Sequence, residues 1–131
     1  NSRPDHQHVI SNEAFSLWGE RALSKSTLYM QKIYDLLNKN NIDLTLVVIQ
    51  EAIFLLNDLD SSFYENHWKN FSKRNDIEFI FVKNYHENYT DKYEAYKKMF
   101  FMGDNHFNEN GNRLIAYEIL EKSNYLIKIL D

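Results

Sequence analysis

Apolar side chains recur at helical spacing from about Ser11 to Asn40, most clearly at Tyr29, Ile33, Leu36 and Leu37, with Ser26 as a capping residue. The interval from Gly19 to Ser26 predicts a break into two helical pieces, and Asn40-Asn41 predicts the end. Leu44 to Ile49 is a short continuous apolar run rich in β-branched residues, the pattern of a strand covered on both faces. Asn57 to Asp60 is a turn cluster, after which Ser61 or Ser62 caps a predicted helix carrying Phe63, His67, Trp68 and Phe71. A second strand is predicted over Ile77 to Val82, a Tyr- and Lys-rich helix over residues 91 to 99, and a final helix bearing Ile115, Ala116, Ile119 and Leu120. Strands alternating with helices predict an α/β fold with a mainly parallel sheet between helical layers. Two strands make a thin sheet, so further pairing is expected, either from residues 52 to 56 or from sequence beyond this chain.

Composition narrows the class. A chain of 131 residues fits one small α/β domain, and 44% hydrophobic with 15% aromatic residues is too apolar for a disordered segment. The formal charge of -4, from 19 acidic and 15 basic residues mixed along the chain, lacks the clustered cations that nucleic acid requires. No apolar run approaches the roughly 20 residues of a membrane span, and the opening Asn-Ser-Arg-Pro-Asp is not a signal peptide. The absence of cysteine removes disulfides and thiolate chemistry but leaves the compartment, cytoplasmic or periplasmic, open. His6 and His8 read as solvated terminal residues, and no metal site is expected. Tyr85, Tyr89, Tyr93 and Tyr96 are placed along a core edge, with a sugar-binding aromatic wall as the other reading.

Two of the three glycines, Gly103 and Gly111, bracket Asp104 and His106. In an extended loop the side chains of Asp104 and His106 project together while Asn105 points away. A carboxylate bonded to one imidazole nitrogen fixes the tautomer and leaves the other nitrogen to take a proton from a nucleophile. Gly103 permits a sharp turn before the pair, Asn108 suits the N-cap of the last helix, and Gly111 permits close backbone approach. The bland counterpart is a capping loop with His106 packed on Phe107 or Phe101.

The block from Gly103 through Asp104, His106, Asn108 and Gly111 to Ala116 resembles the last conserved block of SGNH hydrolases, the GDSL-like esterases, particularly bacterial members associated with polysaccharide acylation. That resemblance implies a three-layer flavodoxin-like parallel sheet and a Ser-His-Asp triad acting on small esters or acetylated sugars. It assigns His106 as general base and Asp104 as its orienter, and it implies no metal or organic cofactor. The family's Gly-Asp-Ser nucleophile block has no counterpart here: Gly19 precedes Glu20, Gly103 precedes Asp104 and Gly111 precedes Asn112. The expectation is therefore the C-terminal part of such a domain, nearly inert alone, with a glycan or small-molecule ester as substrate. An open sheet edge is expected to pair with another copy or with the missing half. The competing expectation is a non-catalytic α/β module whose aromatic surface binds a protein or glycan.

Overall fold

The computed structural model describes residues 15–57, 60–83 and 91–124. The chain divides between Leu44 and Thr45 into two units. In the first, a π-helical turn at Phe15–Gly19 leads into helix α1 (Glu20–Lys39). The expected break between Gly19 and Ser26 is absent beyond Gly19, and Ser26 lies inside the helix instead of capping it. Interior serines cost well under ~1 kcal/mol each, and Ala22, Leu23 and Lys25 favour the helix around them. The end comes where predicted. Asn41 adopts a left-handed φ of 54°, and the amides of Asn41 and Ile42 return to the carbonyls of Asn38 and Leu37.

The second unit runs β1 (Thr45–Ile49), α2 (Ala52–Asn57), α3 (Ser62–Asn75), β2 (Glu78–Val82), α4 (Lys92–Met99) and α5 (Glu109–Lys122). It is a mixed α/β arrangement, mostly helical, whose β1 and β2 pair in parallel with Val47 opposite Ile80. Residues 52 to 56, considered above as a further strand, form α2. A continuous apolar run fits either a buried strand or a buried helix, and the spacing of Ala52 and Leu55 places both in one core as a helical pair. At the start of α3, Ser61 occupies the cap position without a side-chain cap bond. Asp60 acts in its place, accepting from the Ser62 amide at 2.8 Å and the Ser62 hydroxyl at 2.7 Å. These bonds, the amide's foremost, hold the Asp60 carboxyl below its usual range.

Ile80 and Val82 project into a core shared with Ala52 and Leu55 of α2, Ala95, Tyr96 and Met99 of α4, Phe100, and Ile115 of α5. Phe79 and Phe81 have the opposite parity along β2, and α3 packs against both strands. Acidic Glu78 ties three segments together: its carboxylate accepts from the Thr45 hydroxyl at 2.9 Å, the Ser123 hydroxyl at 3.0 Å and the Asn124 amide at 2.6 Å. Burial pushes its pKa up, but those donors outweigh burial and the net displacement is downward. No described helix is long and apolar enough to cross a membrane.

Helices α4 and α5 meet at Gly111. A Cβ there would lie 2.2 Å from the Met99 carbonyl oxygen and 2.9 Å from a Phe107 ring carbon. The first contact is backbone, so no rotamer change relieves it. Alanine in place of glycine favours a helix interior by roughly 1 kcal/mol, whereas overpacking costs about 1–3 kcal/mol, and an obstruction this close puts the penalty at the upper end. Gly111→Ala is therefore expected to lower stability by about 1–2 kcal/mol net, read as a lower urea midpoint at unchanged m-value.

Candidate active site

The segment joining α4 to α5 is short and heavily bonded. Phe100 and Phe107 form an isolated antiparallel bridge, and their rings pack with centroids 4.3 Å apart. Within that bridge, the Phe101 carbonyl accepts from the Asp104 amide at 2.9 Å, closing a four-residue turn, Phe101 to Asp104. Gly103 occupies its third position with φ +77°, the value a type II turn demands and that side chains disfavour. The Phe101 amide donates to the His106 carbonyl at 3.0 Å.

Asp104 and His106 meet directly: Asp104 Oδ1 lies 2.6 Å from His106 Nδ1 and also accepts from the His106 amide at 3.3 Å. The pairing has a different local cause from the expected one. Residues 102 to 106 are turn and bend, not extended chain. The side chains converge because the Asp104 carboxylate folds forward onto the amide two residues on, as aspartates do in Asx-turns. With Nδ1–H donating to the carboxylate, the lone pair available for a proton lies on Nε2. The imidazole is 81% exposed and the carboxylate 41%, so His106 is not packed against Phe107 or Phe101 in an apolar interior. The imidazole's hydrogen bond, first, and the amides of His106 and Asn105 hold the Asp104 pKa below its usual 3.8.

Asn108 and Tyr96 fix the turn from beneath. The Asn108 side chain accepts from the Gly111 amide at 3.0 Å as the N-cap of α5, and its amide nitrogen donates to the carbonyls of Lys98 and Phe100 at 3.0 and 3.2 Å. The buried Tyr96, its ring stacked on Phe100, donates its hydroxyl to the Asp104 carbonyl at 2.9 Å. Sequence spacing placed Tyr96 on a core edge, which it occupies; nothing in the sequence signals where its hydroxyl points. Tyr93 is exposed, and Tyr85, Tyr89, His6 and His8 lie outside the described residues.

An open groove of about 500 Å³ adjoins the turn, lined by Phe101, Asn108, Glu109, Asn110 and Arg113. Arg113 donates to the Asn110 side chain at 2.7 Å. Among the described residues no hydroxyl bonds to His106, and no group of three or more acidic or histidine side chains is placed to hold a metal. The arrangement can accept a proton at Nε2 and stabilise the resulting imidazolium through Asp104. Comparison with protein-family models, with curated proteins and with solved structures found no match.

Because the imidazole is the leading cause of the low Asp104 pKa, His106→Ala is expected to move that pKa up toward 3.8, read by carboxyl-carbon NMR titration. The sign follows from linkage: a depressed folded-state pKa contributes stability above the unfolded value, lost as pH falls through the folded one. The variant should accordingly lose less stability than the parent on acidification below that range. Tyr96→Phe keeps the ring and removes the donor to the Asp104 carbonyl, and is expected to cost about 0.5–1.5 kcal/mol by chemical denaturation.

Proposed function

We propose that the Asp104–His106 pair is the acid–base half of a hydrolytic or acyl-transferring centre of the SGNH type, with His106 as general base and Asp104 as its orienter. The substrate class is an acyl ester, of carbohydrate or of a small molecule, and the nucleophile is a hydroxyl presented to Nε2. The observation carrying this reading is the 2.6 Å Nδ1–carboxylate contact on an exposed turn, with Nε2 left available. Burial, hydrophobic packing and capping each account for Phe100, Phe107, Asn108 and Gly111, but none of them requires an aspartate paired with a histidine two residues later. The parallel β1–β2 pair with helices packed against it is compatible with part of a three-layer flavodoxin-like sheet, which we propose as the parent architecture.

The deciding measurement is acetyl-ester hydrolysis by the natural polypeptide and its His106→Ala variant. General-base catalysis contributes about 10²–10⁴-fold, so a loss of that size in kcat/KM is expected, and equal rates would refute the assignment. A second reading rests on the exposure of Phe101 and Met102, at 57% and 68%, on the same turn. If the segment is a non-catalytic interaction module, Phe101→Ala removes partner or glycan binding while His106→Ala leaves it unchanged.

A further inference from the structure

The groove beside the candidate site is aromatic at one end and polar at the other. Phe101 forms the aromatic end. Phe100 and Phe107 are bridged, with the Phe101 amide on the His106 carbonyl and the Asn108 amide on the Met99 carbonyl, so Phe101 stands opposite His106 in an antiparallel pair. Opposed residues put their side chains on one face, and Phe100 and Phe107 occupy the other, packed together against the core. The ring that lines the groove is therefore the neighbour of the exposed imidazole.

The polar end carries Arg113, four residues after Glu109 on α5. An arginine so placed ordinarily pairs with the glutamate. Arg113 does not: among the described residues it forms no ion pair, and its Nη2 donates instead to the Asn110 side-chain oxygen at 2.7 Å. Asn110 is itself held, its side-chain nitrogen donating to the Lys98 carbonyl in the last turn of α4 at 3.2 Å. Two hydrogen bonds in series thus run from α4 to the guanidinium and fix where it stands. A guanidinium presents two edges of paired donors, and Nη2 contributes one hydrogen to each. Spending one on Asn110 leaves the other edge complete, a fork that matches a carboxylate or phosphate.

We infer that the groove receives the alcohol portion of the ester and that Arg113 selects alcohols bearing an acidic group, a carboxylate or phosphate. This rests on the acid–base reading of Asp104 and His106. An acetyl group fills only a small part of about 500 Å³, so the volume beside His106 is available to the alcohol, with Phe101 against its apolar surface. A guanidinium serving only solubility and helix stability gains most by turning to Glu109. One held by an amide with a free fork gains when an anion arrives. The exposed Glu109 carboxylate in the same groove disfavours an anion seated anywhere but on that fork.

The test compares matched acetyl esters, para-acetoxybenzoate and para-acetoxyphenyl phosphate against uncharged para-acetoxybenzamide, on the natural polypeptide and its Arg113→Gln and Arg113→Lys variants. The parent is expected to favour an acidic ester by roughly tenfold in kcat/KM, the scale of a charge-assisted hydrogen bond, carried mainly in KM because the fork lies away from the reacting atoms. Arg113→Gln is expected to bring the ratio close to one, and Arg113→Lys to restore only part of it; the acidic ester preferred distinguishes carboxylate from phosphate. A parent without preference, a preference that survives Arg113→Gln, or full restoration by lysine overturns the inference, the last because a bare positive charge then suffices. Failure of the acid–base reading is separable by binding. The deacylated acidic alcohols, titrated in place of the esters, are expected to shift the NMR signals of Arg113 Nε and the Asn110 side-chain amide, in the His106→Ala variant as in the parent, while para-hydroxybenzamide does not. No shift with either acidic alcohol overturns the inference whatever the hydrolysis rates.

Discussion

The Met99 carbonyl and the Asn108 side chain form the joint on which the described site depends. Met99 O accepts the Asn108 amide at 2.9 Å, and the same carbonyl sits where a Cβ of residue 111 would be. Asn108 meanwhile joins the end of α4 to the start of α5 with three side-chain hydrogen bonds. Helix ends leave backbone groups unsatisfied, and here one amide side chain serves both ends at once. That economy is possible only because Gly111 lets the helices close to backbone contact. The intervening residues, 100 to 107, must then leave and return within a few ångströms, which is why they form a bridged turn with glycine at its positive-φ position.

The turn so constrained holds Asp104 and His106 in solvent, where a side-chain hydrogen bond to a carboxylate contributes little to folding because water competes for it and two side chains must be ordered to make it. Stability is thus a weak reason for this pair to exist. Its distinguishing property is orientation: the carboxylate selects which imidazole nitrogen carries hydrogen, and the Tyr96 hydroxyl holds the Asp104 backbone from the core side. Rigid support beneath an exposed, tautomer-fixed imidazole is what proton transfer requires.

On β2, the end of α5 brings Lys122, Ser123 and Asn124 against the strand, where Lys122 meets the Phe81 carbonyl, which faces outward from β1, and the Glu78 carboxylate takes the other two. These contacts arise from chain order, because α5 follows β2 and returns along it.

The sequence by itself determined both strands to within a residue, the presence of helices through Phe63 to Phe71, residues 91 to 99 and Ile115 to Leu120, the end of α1, and the places where glycine and asparagine are needed. Those are local matters: continuous runs rich in β-branched residues, helical apolar spacing, caps and positive-φ turns are written in neighbouring residues. It misplaced a break in α1 and left residues 52 to 56 ambiguous, because interior serines are cheap in a helix and a short apolar run has no distinguishing period. It also placed Asp104 beside His106 for the wrong local reason, by strand alternation instead of a turn. Only the tertiary structure decided that the Tyr96 hydroxyl reaches under that turn, that Lys122 reaches the outward Phe81 carbonyl of β2, and that Glu78 gathers Thr45, Ser123 and Asn124. Each of those contacts either joins residues distant along the chain or depends on where a side chain ends in space, and hydrophobic patterning encodes which face is buried but not what that face will meet.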